Sequence, residues 1–215
     1  MMELLINSLP LLGMGTVTTL YLSAAAIVLS TALGLAFALC QLYGGLLLRI
    51  VVEIYLYIMR GVPLLVLLFT MYYAAPYAGM EIDPTTGGIV VIAAYFGAFM
   101  TEVFRAAVLS VPVAQWEAGK AIGLTGKRIF TDIVARQAMR VAGPAYVNTC
   151  IGVVKGTSLV AIIGLVDLTY VGRQIVERTL APFEIFGFVA LVYFLICYAL
   201  SRLGKYLERR LNYVN

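Results

Sequence analysis

Long apolar runs, each closed by a charged or glycine-rich break, set the pattern of this chain. No charged residue falls between Glu3 and Arg49, and further charge-free runs cover 61–80, 84–101, 141–154 and 185–201. A bilayer core about 30 Å thick takes about 20 mostly apolar residues per spanning helix. The fourth run is short, but it continues past Lys155 to Val166. The pattern predicts five membrane-spanning helices, at 12–40, 50–76, 86–110, 138–163 and 184–208. The expected fold class is all-α and integral to the membrane. Too little polar sequence remains for a second folded unit, so 1–215 reads as a single transmembrane domain with its core at 12–208.

The breaks carry their own signals. Residues 2–9 read as a short segment lying at the outer interface. Pro63, Pro144 and Pro182 stand near helix starts or bends, which a membrane tolerates only where the freed backbone groups find other partners. Residues 78–88, with Asp83-Pro84 and a glycine pair, read as an external turn. Residues 167–179 are long and mixed in charge, as a short amphipathic helix on the outer side would be. The spacing Gly152-x-x-x-Gly156 favours close helix packing.

The longest polar island, 111–137, lies between the third and fourth predicted spans and has the grammar of a folded loop. Pro112 can open a helix, because proline is tolerated in the first turn. Gly123 can close that helix, and Thr125 can cap the next one. Ala118, Gly119, Ala121 and Gly123 keep side-chain bulk low, so that a partner can approach the backbone, with Trp116 as its apolar anchor. The bland alternative is an interfacial helix held under the headgroups by Trp116 and the basic residues. Residues alone leave the two even.

Composition then fixes the surroundings: 62% of the residues are hydrophobic and 12% charged, against about 25% charged in soluble domains. Cytoplasmic segments carry the excess of Lys and Arg. With the N-terminus outside and the C-terminus inside, the inner segments 41–49, 105–140 and 202–215 hold eleven of the fifteen basic residues. The net charge of +4 is accordingly a topology signal that also suits anionic lipids, not a nucleic-acid patch. Residues 1–12 carry no positive signal-peptide start. Cys40, Cys150 and Cys197 form no close set, so neither a disulfide framework nor a metal site is expected. Histidine is absent, which removes the commonest general base.

Charges inside spans are costly and mark candidate functional positions. Arg60 falls near the midplane of the second predicted helix, roughly 15 Å above its inner end at 1.5 Å per residue, and Lys155 is similarly deep in the fourth. Either cation can hold a carboxylate, Arg60 with a two-pronged geometry. Glu53, seven residues before Arg60 on the same helical face, can receive an amino group, or pair with Arg49 or the central loop. Thr157 and Ser158 add small hydrogen-bonding groups beyond Lys155. Glu102 and Arg105, three apart, are expected to pair with each other. Tyr55, Tyr57, Tyr72, Tyr73 and Tyr77 read as interfacial belt or packing. No ATP-binding Gly-x-x-x-x-Gly-Lys-Ser/Thr loop is present.

At Glu117-Ala118-Gly119-Lys120-Ala121-Ile122-Gly123 the chain resembles the signature of membrane subunits of ATP-binding-cassette importers. That signature runs Glu-Ala-Ala, three residues, Gly, nine residues, Ile-x-Leu-Pro. Gly119 replaces the second Ala, Ile133 falls at the expected spacing, and Ala135-Arg136 stand where Leu-Pro is usual. Arg60-Gly61-Val62-Pro63-Leu64, Ala98-Phe99-Met100-Thr101-Glu102 with Arg105, and Lys155-Gly156-Thr157-Ser158-Leu159 are similar to elements of the polar amino acid and opine branch.

The resemblance implies a type I importer core with a cytoplasmic coupling helix between the third and fourth spans. Coupling to the ATPase then falls to Trp116, Glu117, Ala118, Gly119, Ala121, Gly123 and Ile133, and the substrate path to Glu53, Arg60, Lys155, Thr157 and Ser158. It also implies a second permease subunit, cytoplasmic ATP-binding subunits carrying ATP and Mg, and an extracytoplasmic solute-binding protein. This chain would bind no cofactor itself, would catalyse no reaction, and would sit multi-pass in a bacterial cytoplasmic (inner) membrane. Gly156, where the branch carries an acid, implies that lysine- or arginine-like ligands are less favoured. The alternative is a self-contained secondary carrier or channel, against which the lack of an inverted repeat argues.

Overall fold

The computed structural model describes residues 2–212. The chain begins with one 42-residue helix, α1 (Met2–Tyr43), so the separate interfacial segment expected at 2–9 is instead the first turns of α1. α2 (Leu46–Gly61) and α3 (Leu64–Tyr77) follow, then α4 (Pro84–Leu109) and the short α5 (Val113–Ala121). A three-residue α6 (Gly126–Arg128) leads into a π-helix (Ile129–Val134), which runs straight into α7 (Ala135–Thr157). A 3-10 turn (Ser158–Ile163), α8 (Leu168–Thr179) and α9 (Pro182–Asn212) complete the order. Among the described residues four helices are long and apolar enough to cross a membrane, or five crossings if α2 and α3 count as one.

The helix predicted at 50–76 is not straight. α2 and α3 meet at 103° across Val62-Pro63. Pro63 has no backbone N–H to continue the ladder, and it forces the residue before it into extended backbone, as Val62 shows at φ −105 and ψ 133. Arg60 therefore stands in the last turn of α2, at the break, and not at the middle of a rod.

α1 and α4 form the centre of the bundle. The buried face of α1 reads Leu12, Gly15, Thr19, Leu22, Ser23, Ala26, Ser30, Gly34 and Ala38, a helical period that is smaller and more polar than its exposed face. The exposed face carries Leu9, Met14, Val17, Leu20, Val28 and Leu35. Lipid tails are as apolar as leucine, so helices associate through close backbone approach and not through greasier surfaces. Gly34 shows the result: a Cβ there would run into the Met100 Cβ. The Gly152–Gly156 pair works similarly, with Phe96 of α4 filling the notches at 3.0 Å and 2.8 Å from the two virtual Cβ positions.

At the expected outer end, α8 is the amphipathic helix read at 167–179. Leu168, Val171, Gly172 and Ile175 are buried at helical spacing, against Leu12, Ile185 and Val189. The fully buried Asp167 caps it: its Oδ1 accepts from Tyr170 N at 2.8 Å and its Oδ2 from Tyr193 Oη at 3.1 Å. α4 starts the same way, with Asp83 accepting from Thr86 N at 3.0 Å and Pro84 in the first turn.

Candidate functional site: a charge-lined cavity and an exposed helix

Three helix faces converge on a cavity of about 680 Å³ lined by Gln41 of α1, by Glu53, Leu56, Tyr57, Arg60 and Gly61 of α2, and by Phe99, Glu102 and Arg105 of α4. Glu53, Tyr57 and Arg60 share a face of α2, and Phe99, Glu102 and Arg105 share a face of α4, by the three- and four-residue spacing of a helix. The pairing expected for Glu102 is present, with Arg105 Nη2 at 2.9 Å from Glu102 Oε2. Arg60 adds a longer contact from α2, its Nη1 3.8 Å from Glu102 Oε1. One carboxylate thus faces two guanidinium groups across two helices. Glu53 makes no ion pair among the described residues; it accepts from Tyr57 Oη at 3.5 Å, and Arg49 donates instead to the Leu42 carbonyl.

The structure divides the sequence-derived path. Glu53 and Arg60 meet in the cavity; Lys155, Thr157 and Ser158 are not among its lining residues. Lys155 is exposed, and the hydroxyls of Thr157 and Ser158 are spent on carbonyls of their own turn, Val154 and Lys155, each at 2.7 Å. Gln41 lines the cavity without having been singled out in the sequence; Tyr57, read there as belt or packing, lines it as well, and Phe99 had entered only as part of the Ala98–Glu102 element. The spacing of Tyr57 from Glu53 and Arg60 was the available signal. An acidic side chain at position 156 would have no room, because a Cβ there would lie 2.8 Å from Phe96 and 3.2 Å from Leu64.

α5 confirms the helix grammar of the central loop and corrects which way its residues face. Pro112 occupies the N-cap and Gly123 adopts φ +78. Leu124 N reaches Gly119 O at 3.0 Å and Gly123 N reaches Lys120 O at 2.9 Å, the paired bonds of a glycine-closed helix end. Thr125 stands at the next N-cap, but its side chain makes no capping bond. Glu117, Ala118, Lys120, Ala121 and Gly123 are exposed, and Ile133 is half-buried. Gly119 is instead buried against Ile129, and Trp116 packs on the cluster of Ala107, Val111, Ile129, Val134, Ala138 and Ala142. Trp116 and Gly119 thus serve this chain's own core. The reason is periodicity: 116 and 119 lie three apart, on the face opposite 117, 118 and 121.

Membrane helices around a charge-lined cavity, with one short helix held outside the bundle, define the membrane part of a transporter. The chain belongs to the family described as the inner membrane component of binding-protein-dependent transport systems, which matches residues 26–213. It is 34% identical to the L-cystine transport system permease protein TcyB of Bacillus subtilis, over 94% of this chain and 87% of that protein. It is 32% identical to the glutamine transport system permease protein GlnP of Escherichia coli, over 95% and 94%. The nopaline transport system permease protein NocM of Agrobacterium fabrum is likewise 32% identical, over 98% and 91%. A crystal structure of an amino acid ABC transporter with histidines superimposes with TM-score 0.90 at 30% identity, covering 96% of both chains. An inward-facing MetNI methionine ABC transporter shares the fold at 20% identity and TM-score 0.79, covering 94% of this chain and 96% of that one.

The chain has the type I ABC importer fold and is a permease subunit, a transport component and not an enzyme. ATP hydrolysis belongs to a partner subunit. This membership sets aside the self-contained carrier.

Proposed function

We propose that this permease carries polar amino acids or related compounds across a bacterial cytoplasmic (inner) membrane, with its N-terminus outside and its C-terminus inside. The bent α2–α3 pair then counts as one crossing. The partners are cytoplasmic ATP-binding subunits holding ATP and Mg, a second permease subunit and an extracytoplasmic solute-binding protein. The relatives named for cystine, glutamine and nopaline transport support the cargo class.

The observation that carries the reading is the cavity, where carboxylates and guanidinium groups face one space without saturating one another. Glu102 is already neutralised by Arg105 at 2.9 Å, whereas Arg60 is held only at 3.8 Å with its side chain half exposed. Arg60 is therefore the cation free to take a substrate carboxylate with two parallel hydrogen bonds. Glu53 stands two turns away on the same face to receive the amino group, with Tyr57 between them. The cavity thus offers groups of both charges to a zwitterion. Lys155, Thr157 and Ser158 are left to a different stretch of the path, and their side chains bring nothing to this cavity.

ATPase coupling is assigned to the exposed face of α5, with Glu117, Ala118 and Ala121 in contact and Gly123 ending the helix. Trp116 and Gly119 hold it from behind, and Ile133, half-buried in the π-helix, completes the set. The deciding experiment crosslinks Ala118→Cys or Ala121→Cys in native vesicles and measures ATP-driven amino acid uptake in reconstituted ones. Capture of an ATP-binding subunit with uptake is expected; neither occurring ends the proposal.

A further inference from the structure

α5 touches the rest of the chain through very little surface. Of its residues Gly119 alone is buried, and Trp116 is half-buried beside it. A Cβ at Gly119 would lie 2.8, 3.1 and 3.2 Å from Cγ1, Cδ1 and Cγ2 of Ile129, so the isoleucine side chain fills the place where a side chain of α5 would be. Ile129 is fully buried and opens the π-helix that runs without interruption into α7. π-helical turns are rare and concentrate at functional sites.

The other end of α7 repeats the device. Residues 135–157 extend about 35 Å at 1.5 Å per residue, and at Gly156 the neighbours of the missing Cβ are Phe96 and Leu64. Leu64 is the first residue of α3 after the 103° break, and Arg60 stands just before that break, in the cavity. A glycine notch thus seats a side chain at each end of one rod, between the coupling helix and the bend that carries Arg60.

We infer that Ile129, seated in the Gly119 notch, is the bearing through which movement of α5 is delivered to α7 and on to the α2–α3 break. Gly119 and Ile129 are positioning residues, and neither meets the ATPase. The inference rests on the permease reading above and adds the internal route. A position between two sites does not by itself establish coupling, so the test is a size exchange across the contact.

In the importer reconstituted with its ATP-binding subunits, Gly119→Val is expected to lower uptake and substrate-stimulated ATP hydrolysis about fivefold or more. The KM for ATP and crosslinking from Ala121→Cys to the ATPase stay at wild-type values. Ile129→Ala alone empties the notch and also lowers coupling. Together the two substitutions refill the space and restore most of both activities. Gly119→Ala, whose methyl strikes the same atoms, gives the same pattern at smaller amplitude and serves if the valine variant does not accumulate. Wild-type coupling in the variant that accumulates, no recovery in its pairing with Ile129→Ala, or loss of the Ala121→Cys crosslink in Gly119→Val would each overturn the bearing. Absence of that crosslink in the parent importer would instead remove the reading of α5 as the ATPase dock.

Discussion

Replacing Asp167 by alanine tests whether α8 is pinned to the bundle by a single buried carboxylate. Two losses add. The first is the N-cap, whose bond to Tyr170 N is 2.8 Å long, and removing such a cap costs about 1 kcal/mol. The second is the acceptor for the half-buried Tyr193 hydroxyl at 3.1 Å, between α8 and α9; a fully buried group deprived of its partner costs about 1–3 kcal/mol. Tyr193 keeps Thr169 Oγ1 at 3.1 Å, so the lower end of that range applies. The sum, about 2–3 kcal/mol, makes opening of α8 roughly 30- to 150-fold more frequent. Hydrogen exchange of the α8 amides in detergent or nanodiscs reads this directly. Asp167→Asn keeps an acceptor at the cap and is expected to stay under about tenfold. Equal effects of Ala and Asn, or less than about fivefold for Ala, would refute the account.

The same residue predicts a pH dependence. Burial raises the Asp167 carboxyl above its usual range, against the lowering effect of hydrogen bonds from the Tyr170 and Thr169 amides and the Tyr193 and Thr169 hydroxyls. The folded state then holds the proton more tightly than the unfolded chain. The stabilisation is full below the ordinary carboxylate value of about 3.9 and is lost as pH rises through the raised native value. The advantage of Asp167 over Asp167→Asn is expected to shrink as pH climbs above about 4, and growth over that climb would contradict the sign.

Gly156→Asp is expected to lower thermal stability by about 1–3 kcal/mol through overpacking on Phe96 and Leu64. Pairing it with Phe96→Ala should recover part of that loss. Arg60→Ala is expected to abolish most amino acid uptake while costing less than about 1 kcal/mol of stability, since its bridge to Glu102 is long and half exposed. Arg60→Lys should not restore uptake, because an ammonium lacks the two-pronged geometry; normal uptake in either variant removes Arg60 from the path. Gly123→Ala forces a side chain into φ +78, costing about 1–2 kcal/mol at the end of α5. Glu117→Lys alters an exposed residue, so it is expected to lose ATPase stimulation with membrane insertion and fold intact. Wild-type stimulation in Glu117→Lys would count against docking on α5.

The sequence by itself determined the apolar spans, the helical island between the third and fourth of them, the amphipathic α8 and the Glu102–Arg105 pair. Each is local: span length follows from bilayer thickness, caps and glycine stops act over one turn, and an i,i+3 pair needs only its own helix. Only the tertiary structure decided which side of each helix faces in. In water the apolar face marks the core, but both faces of a membrane helix are apolar, so α1 hides Ser, Thr, Gly and Ala while showing Leu and Val outward. The same ambiguity concealed that Lys155 lies outside the cavity and that Gln41, Tyr57 and Phe99 lie on it; in the short α5, small residues fall on both sides, which hid that Gly119 and Trp116 face Ile129 and its neighbours. The sharp bend at Val62-Pro63 had a visible cause in the proline, yet its 103° angle depends on how α3 packs against α4. Local chemistry specifies where helices start and stop; the fit of small residues against large ones, known only once the helices are side by side, specifies what they enclose.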